Sequence, residues 1–430
     1  MQLFGTSGIR RVADKNLVEL ALEVGLAVGK LYANVVVGAD TRTSSDAVKY
    51  AFISGLLTAG ARSADAGIIP TPTLALAARE FQAGAMITAS HNPPEYNGIK
   101  LFNPDGAAFD AEQRGQIEEM ILGDSLEAAP WGEMRSSTVY DGAIEKHIEH
   151  IVKNFPGEVS LIKSEIKVVV DCSCGAASVI TPYLLRRLGC EVTELNCHPT
   201  GFFPHPVEPT EANLGDLIRV TKELGADLGI AHDGDADRMM AVDNMGRFIP
   251  GDKLLIIFAQ AAAAKEVVTT IDASMVIDEM GFSVTRTPVG DNYVSEELKK
   301  GGDFGGEPSG AWIFPDNSLC PDGIYAAAQL LAIVSRQKLS LLVDSIPAYP
   351  LLRGSLAGDG VVASDWEKRL LGMKPLSVSH IDGIRLNFDD GWLLVRASGT
   401  EPKIRVTAEA KSEAQVHQLY DSGVRLIKGV

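Results

Sequence analysis

The chain has 430 residues, and its 39 Lys and Arg against 56 Asp and Glu give a formal net charge of −17. Apolar residues make up 46% and charged residues 22%, which is typical of globular proteins and excludes a largely disordered chain, a coiled coil and a small disulfide scaffold. The acidic balance argues against a binder of nucleic acid or of an anionic membrane, because such surfaces are basic. We expect an anionic substrate only where cationic side chains gather locally.

The predicted location is the cytoplasm. No apolar stretch reaches the roughly 18 residues of a membrane-spanning helix, and the first residues do not form the basic and apolar segments of a secretory signal. Five cysteines in a chain of this length are typical of reduced thiols in a cytoplasm. Cys172 and Cys174 have no second Cys or His pair at zinc spacing, so we interpret them as small residues that line a turn.

Predicted strands and helices alternate in three successive cycles along the chain. In the first cycle, the strands are 35–37, 68–69 and 85–88, and the helices begin at Ser44 or Ser45 and at 70–73. In the second, the strands are 167–170, 191–195 and 228–231, and the helices follow 171–176 and occupy 214–224. The third contains a helix after 250–252, a segment at 282–287 and a helix near 293–299. Such alternation is typical of βαβ units with mostly parallel sheets, whose ligands bind beyond the carboxyl ends of the strands.

The last part of the chain has a different pattern. Residues 383–388 and 392–396 flank an Asp-Asp-Gly sequence, which predicts a hairpin. Ser412 and Gln415 form a capping box for a final helix. The fold class is therefore α/β, with three α/β units and a smaller C-terminal α+β unit. The predicted domains are 1–150, 151–250, 251–355 and 356–430.

The serine loop, residues 88–100, is the first of four loops with candidate chemistry. Ser90 follows an apolar strand and precedes two prolines that exclude a helix interior. A serine on a rigid turn suits covalent catalysis if a neighbour activates it, and His91 and Lys100 are near enough in sequence to move protons. An ordinary turn built from Ser, Asn and Pro remains an open alternative.

The aspartate loop, residues 233–238, carries carboxylates at Asp233, Asp235 and Asp237 and then Arg238. Three such anions repel each other unless a cation lies among them, and oxygen ligands favour Mg²⁺ or Ca²⁺. An EF-hand is excluded because it needs Gly where Arg238 stands and Glu where Asn244 stands. The arginine side chain could hold a phosphate next to the metal. A solvated acidic turn is the alternative, although the apolar strand before it argues against that.

Two further loops could bind a sugar phosphate. In the glycine loop, residues 305–310, Glu307 and Ser309 can exchange hydrogen bonds with sugar hydroxyls, although a Gly, Pro and Ser cluster is first of all a loop. The arginine loop, residues 396–405, is a plausible anion cradle, with a charged surface turn as the alternative. Its candidate groups are Arg396, Ser398, Gly399, Thr400, Lys403 and Arg405.

Together these loops resemble the α-D-phosphohexomutase superfamily. Its members carry a serine loop TASHNP, a metal loop DGDxDR, a sugar loop GExSG and a phosphate loop RxSxTEP, and all four occur here in that order. Residues 4–10, FGTSGIR, also match the family's opening. The resemblance spans the whole chain. It implies three similar mixed α/β domains plus a C-terminal α+β domain around a central cleft, and a mutase that works through a phosphoserine enzyme and a bisphosphate intermediate.

The resemblance also implies roles for the residues near the serine. Ser90 would be the phosphoserine, and with Asp233, Asp235 and Asp237 it would hold one Mg²⁺ per chain. A hexose bisphosphate would be the activator.

The remaining site residues receive roles in the same way. Lys100 would serve in acid/base chemistry beside His91, and Arg10 and Arg238 would stabilise the transferring phosphoryl group. Glu307 and Ser309 would bind sugar hydroxyls. The phosphate that is not reacting would be bound by Arg396, Ser398, Gly399, Thr400 and Arg405.

The glycine loop also bears on the substrate. It continues as GEPSGAW, which resembles archaeal phosphoglucosamine mutases. The bacterial phosphomannomutase/phosphoglucomutase branch usually has a histidine, a proposed acid/base, where this chain has Ala311, so that role would be vacant or would move to Lys100 or His91. We therefore expect interconversion of glucosamine 6-phosphate and glucosamine 1-phosphate, with mannose and glucose phosphates second. A metal-dependent sugar-phosphate phosphatase and a non-catalytic sugar-phosphate-binding protein are more distant alternatives. The sequence predicts no oligomeric state.

Overall fold

The computed structural model describes residues 3–5, 8–123, 126–155, 166–357, 363–397 and 403–429. Its strands form four sheets, which follow one another along the chain. The first three sheets are α/β and the fourth is antiparallel with helices on one face, so the predicted fold class is confirmed.

The first sheet has six strands. They are β1 (Ile9–Val12), β2 (Asn34–Ala39), β3 (Arg62–Ile68), β4 (Ala83–Ile87), β5 (Tyr96–Phe102) and β6 (Ser137–Val139), and their spatial order is β1-β5-β4-β2-β3-β6. The helices of this unit are α1 (Lys15–Leu31), α2 (Ser45–Thr58), α3 (Thr71–Ala77), α4 (Ala111–Leu122) and α5 (Ala143–Lys153). Asp14 caps α1 by accepting a hydrogen bond from the Leu17 amide, and Asp110 with Gln113 forms a capping box on α4.

The second and third sheets have four strands each. The second contains β7 (Lys167–Asp171), β8 (Glu191–Leu195), β9 (Leu228–His232) and β10 (Met239–Asp243), with helices α6 (Thr181–Arg187) and α7 (Gly215–Leu224). The third contains β11 (Glu266–Thr270), β12 (Ser283–Thr287), β13 (Phe304–Gly306) and β14 (Trp312–Ile313), with helices α8 (Gly251–Ala261), α9 (Asp291–Leu298), α10 (Gly323–Val334) and α11 (Leu339–Ser345). Their spatial orders are β10-β9-β7-β8 and β12-β11-β13-β14.

One connection recurs in all three α/β sheets. The serine loop joins β4 to its antiparallel neighbour β5, the aspartate loop joins β9 to antiparallel β10, and the glycine loop joins β13 to antiparallel β14. The other pairings of β4, β9 and β13 are parallel. Each loop therefore lies at the carboxyl end of a parallel strand, as expected. The chain then returns along the same sheet instead of entering a helix, which the sequence analysis did not predict.

The fourth sheet is antiparallel throughout. Its strands are β15 (Leu351–Ala357), β16 (Ser377–Ser379), β17 (Ile384–Phe388), β18 (Gly391–Ala397) and β19 (Lys403–Ala410), in the order β15-β19-β18-β17-β16. Helices α12 (Ala363–Leu371) and α13 (Glu413–Lys428) belong to the same unit. The predicted β17–β18 hairpin and the Ser412 cap of α13 are both present. Strand β15 spans residue 355, the limit we predicted between the last two domains, and the domain limits stay predictions.

The third and fourth units contact each other around Glu409, a buried residue of β19. Its carboxylate accepts hydrogen bonds from the Ser274 hydroxyl at 2.5 Å, the Met275 amide at 2.8 Å and the Trp392 indole at 2.6 Å. Trp392 also packs in a small apolar cluster with Ile271 of the third unit. These contacts attach one end of the fourth sheet to the third unit.

Two further sequence expectations concern cysteines and membrane spans. All five cysteines are free. Among the described residues no single helix has the length and apolar composition of a membrane span, although the bent pair α10 and α11, with an angle of 93°, meets both criteria when taken together.

Helices α1 and α2 pack closely because each presents a glycine to the other. A Cβ built on Gly55 would lie 2.1 Å from the Leu22 backbone oxygen, and one built on Gly25 would lie 2.1 Å from the Phe52 backbone oxygen. The two helix backbones are therefore in contact, and a side chain at either glycine would force them apart.

We expect Gly55→Ala to lower the free energy of unfolding by about 1–3 kcal/mol, the usual cost of overpacking. Gly115 in α4 is the matched control, because a Cβ there meets nothing within 4 Å. Gly115→Ala should instead raise the free energy of unfolding by about 0.5–1 kcal/mol, since alanine favours a helix. Urea denaturation followed by circular dichroism measures both, and equal effects would contradict the packing argument.

Candidate active site

Ser90 lies at the start of the connection between β4 and β5, in a conformation that few serines adopt. Its φ is 52°, in the left-handed region, and its side chain is 1% exposed. The Ser90 amide donates to the Thr88 hydroxyl at 2.8 Å. Backbone strain of this kind persists only where the surroundings hold it in place, and it is frequent at functional sites.

Arg42 supplies that support, and the sequence analysis missed it. Its guanidinium donates to the backbone oxygens of Ser90 and Asn92, both at 2.7 Å, and to those of Pro93 and Tyr96 at 2.7 and 2.9 Å. The planar arrangement of five donors lets one arginine hold four carbonyls at once. Arg42 thus fixes the path of the serine loop. The sequence signal that could have identified Arg42 is the polar turn directly after β2, which lies at the same sheet edge as Ser90.

Asp40 holds Arg42 in turn. Its carboxylate accepts from the Arg42 Nε at 3.0 Å, from the Thr88 hydroxyl at 2.7 Å and from the Ser45 hydroxyl at 2.8 Å. Burial raises the pKa of Asp40 despite the opposing charge of Arg42. A buried ion pair of this kind contributes little net stability, but it fixes orientation.

The aspartate loop brings its three carboxylates together beneath the serine. Asp233, Asp235 and Asp237 are buried, and one carboxylate oxygen from each lies within 4.8 Å of the other two. The Ser90 hydroxyl donates to the Asp233 Oδ2 at 2.8 Å. Burial and the two neighbouring carboxylates hold the pKa of Asp233 well above its usual range. Three carboxylates are therefore buried close together, and the charges of Arg238 and Lys100 oppose theirs.

Lys100 neutralises part of that charge. Its ammonium donates to the Asp235 Oδ2 at 2.8 Å and to the Asp237 Oδ2 at 2.5 Å. Burial alone would lower the pKa of Lys100, but these two carboxylates outweigh it and the pKa lies above its ordinary value. The sequence placed Lys100 near the serine, and its contact with the aspartates emerges only in the fold.

The cluster fits Mg²⁺. In the described part of the chain, the Oδ1 atoms of Asp235 and Asp237 are buried without a hydrogen-bond partner. Buried polar atoms almost always have a partner, so these two oxygens indicate a bound group such as a cation. Three carboxylates and a serine oxygen form a set of oxygen donors that suits a hard divalent cation.

His91 lies next to the serine, and the charges of three cations act on its ring. Its Nδ1 is 3.3 Å from the Ser90 hydroxyl. The charge of Arg238, burial, and the charges of Arg10 and Lys100 together lower the pKa of His91 far below its usual value, so the ring is neutral. Arg10 donates to the Asn92 side chain at 3.1 Å, and its buried Nε has no hydrogen-bond partner among the described residues.

A cleft of about 910 Å³ opens beside these groups and is lined by all four units. Its lining residues include His91, Arg238, Glu307, Ser309, Arg396 and Arg405. The predicted central cleft is therefore present. Glu307 is 6% exposed and accepts from the Gly290 amide at 2.8 Å and the Ser309 hydroxyl at 3.2 Å. Burial raises the pKa of Glu307 to about 7.

The fourth unit contributes arginines to the cleft from adjacent strands. Arg396 and Arg405 are direct partners across β18 and β19, so their side chains share one face of the sheet. Arg353 on β15 lies two residues from Ser355, the β15 partner of Arg405, and therefore shares that face. Arg353 lines the cleft and was not predicted. Arg396 also donates to Asp382 at 2.8 Å.

The remaining residues of interest from the sequence analysis are three in the arginine loop and Ala311 in the glycine loop. Ser398, Gly399 and Thr400 lie outside the described residues. Ala311 is 3% exposed, and its backbone forms an isolated bridge with Arg238. The backbone at Ala311 therefore joins the glycine loop to the aspartate loop.

Comparison with known families agrees with this arrangement. Models for the α/β/α domains I, II and III and for the C-terminal domain of phosphoglucomutase/phosphomannomutase match residues 1–127, 145–246, 250–349 and 360–425. The chain belongs to the phosphoglucomutase/phosphomannomutase family. The predicted resemblance to the α-D-phosphohexomutase superfamily is confirmed, and with it the prediction of an enzyme of the mutase class. Enzymes of this family generally use Mg²⁺.

Individual members of the family cover the whole chain. A "Probable phosphoglucosamine mutase" of Methanocella arvoryzae is 47% identical, over 100% of this chain and 98% of its own. A phosphoglucomutase/phosphomannomutase family protein from Burkholderia thailandensis is 29% identical, with a TM-score of 0.88 over 100% and 97% of the two chains. The Aspergillus fumigatus N-acetylphosphoglucosamine mutase, solved with GlcNAc-6P and magnesium, shares the fold at 16% identity, with a TM-score of 0.62 over 99% and 95%.

We expect Arg42→Lys to lower kcat for the mutase reaction by about 100-fold, because a displacement of about 1 Å at a reacting group costs that much. Lysine keeps the charge beside Asp40 but lacks the planar set of donors that holds four carbonyls. A coupled mutase assay measures the effect, with Arg62→Lys, an exposed arginine on β3, as the control. Wild-type kcat in a folded Arg42→Lys protein would contradict the role of the clamp.

Proposed function

We propose that the chain is a phosphoglucosamine mutase, which interconverts glucosamine 6-phosphate and glucosamine 1-phosphate. The observation that carries the proposal is the Ser90 hydroxyl, bonded at 2.8 Å to a buried aspartate cluster. The cluster lies beside the cleft, and the fourth unit presents arginines to that cleft. A phosphoryl donor at one end and a phosphate grip at the other are what a mutase needs, because it must act on both ends of one sugar.

In the first half-reaction, Ser90 carries the phosphoryl group. The bond between its oxygen and phosphorus breaks as a bond forms to the free sugar hydroxyl, whose proton leaves, and the product is a sugar bisphosphate. After the bisphosphate turns round, the serine oxygen attacks its other phosphate and recovers a phosphoryl group. We assign proton transfer to Lys100 beside His91. Arg10 and Arg238 neutralise the charge of the transferring group.

Mg²⁺ would be held by Ser90, Asp233, Asp235 and Asp237. When bound, it supplies positive charge that stabilises the transferring phosphoryl group. The carboxylates position the ion, while Lys100 keeps Asp235 and Asp237 in place.

The second phosphate is assigned to the fourth unit. Arg396 and Arg405, with Ser398, Gly399 and Thr400, would bind the phosphate that is not reacting, as charged forks and exposed amides do. Glu307 and Ser309 would bind sugar hydroxyls. Closure of this unit over the cleft would exclude water, which otherwise hydrolyses phosphoserine.

Support for glucosamine phosphates comes from the relatives. Archaeal proteins that are 41% to 47% identical carry the name phosphoglucosamine mutase, some with the word probable. The buried Ala311 agrees with a branch that does not use a histidine there. We further propose a hexose bisphosphate as the activator, sugar phosphates as the ligands and the cytoplasm as the location.

The test is a rate comparison on the 6-phosphates of glucosamine, mannose and glucose, with Mg²⁺ and catalytic hexose bisphosphate. We expect the highest kcat/KM for glucosamine 6-phosphate and no turnover by Ser90→Ala, which also loses the phosphoserine detected by mass spectrometry. Ser54→Ala, an exposed serine on α2, should behave as wild type. Net phosphate release above isomerisation would indicate a phosphatase. Binding without any turnover would indicate a non-catalytic protein.

Metal dependence gives a second test. We expect EDTA to abolish turnover, Mg²⁺ to restore it, and Asp235→Asn to reduce kcat by about 10²–10³ because a preorganised charge is lost. The variant should also need more Mg²⁺ for half-maximal activity. Asp216→Asn, at an exposed carboxylate, is the control. Turnover by Asp235→Asn with the Mg²⁺ dependence of wild type would refute the assigned ligand.

A further inference from the structure

Three neighbouring strands of the third sheet each end in a carboxylate. Strands β12, β11 and β13 are parallel neighbours, so their carboxyl ends meet at one edge of the sheet. Asp291 follows β12, Asp272 follows β11 and Glu307 follows β13. Only Glu307 belongs to a loop that the sequence analysis singled out.

Local hydrogen bonds orient two of these carboxylates. The Thr270 hydroxyl donates to the Asp272 Oδ1 at 2.6 Å, and the Gly290 amide donates to the Glu307 Oε1 at 2.8 Å. Both residues line the cleft. After burial, the charges of Asp291 and Asp272 contribute to the raised pKa of Glu307, while Arg238 opposes them. Asp272 and Glu307 therefore reach the same cleft from the ends of neighbouring strands.

Of the three carboxylates, Asp272 and Glu307 line the cleft, whereas Asp291 lies with Lys100 and Asp237 around a separate small pocket. Glu307 directly follows β13, and β13 pairs with the β11 strand that leads to Asp272.

Glucosamine and glucose phosphates differ only at C2, where one has an amine and the other a hydroxyl. An amine with a pKa near that of an α-amino group, about 7.7–8.0, is largely cationic at neutral pH. A hydroxyl satisfies one carboxylate as a hydrogen-bond donor, but only a cation offsets the charge of several. During turnover the sugar reverses in the cleft, so its C2 group moves along the cleft between the two orientations.

Resting on the proposed function, we propose that Asp272, with Glu307, binds the C2 ammonium of the substrate and sets the preference for glucosamine phosphates. Asp272 is the specificity-determining residue of the two, because it lines the cleft and is assigned neither to the metal nor to the sugar hydroxyls. Two carboxylates on neighbouring strands keep an acceptor beside the ammonium in both orientations of the sugar. A single carboxylate would serve only one orientation.

The experiment compares kcat/KM for glucosamine 6-phosphate with those for glucose 6-phosphate and N-acetylglucosamine 6-phosphate, whose amide is neutral. Asp272→Asn keeps the shape of the side chain and an oxygen for Thr270, but removes the charge. We expect the ratio of glucosamine to glucose turnover to fall by about 10- to 100-fold, the size of a lost charge-assisted hydrogen bond. The ratio of glucosamine to N-acetylglucosamine turnover should fall in parallel.

Glu211→Gln is the matched control. Glu211 is an exposed carboxylate of the second unit that lines the same cleft, and its loss should leave both ratios unchanged. Asp272→Ser serves as a second variant in case Asp272→Asn does not fold.

Each result has a definite meaning. Unchanged ratios in folded Asp272 variants overturn the inference and leave the proposed function standing. The same fall in Glu211→Gln overturns it as well, because a general loss of negative charge would then explain the effect. A wild-type enzyme without preference for glucosamine 6-phosphate defeats the proposed substrate and the inference together.

Discussion

The guanidinium of Arg42 is the contact on which the catalytic geometry depends. It binds four carbonyls of the serine loop, between Ser90 and Tyr96, and is itself held by the buried Asp40. Together with the Thr88 hydroxyl, that clamp holds Ser90 in the left-handed region with its hydroxyl on Asp233. Arg42, which belongs to none of the recognised motifs, thus holds the motif residue Ser90 in place.

Part of the charge at the site is balanced between units. The first unit provides the cations Arg10 and Lys100, and the second provides the carboxylates that Lys100 contacts. Because each set is costly to bury alone, the aspartate loop and the serine loop stabilise each other only when the two units meet. Three α/β sheets with the same antiparallel return beside a parallel strand bring these loops to one cleft.

The fold class and the loops with local signatures were predictable, since each depends on neighbours in sequence. Strand alternation gave three α/β units, and spacing within a few residues gave the aspartate loop. Arg42, Arg353 and Asp272 were missed because their importance comes from partners far away in the chain, and none of them belongs to a recognised pattern. The antiparallel return after each loop was missed for the same reason. Strand pairing is set by the whole sheet, and a strand end alone does not say whether a helix or a return follows.

Because the fourth sheet is attached to the third unit at Glu409, a tilt about that end of β19 displaces the residues further along the strand. Glu409 is four residues from Arg405 along the strand, about 13 Å at 3.3 Å per residue. A tilt of about 15° about that end would move Arg405 by about 3–4 Å, more than the roughly 2.9 Å length of a hydrogen bond. If Arg405 binds a phosphate as proposed, small rotations at the attachment would change that binding from complete to absent. The same sheet would then hold a bisphosphate for transfer and free one end for the half-turn.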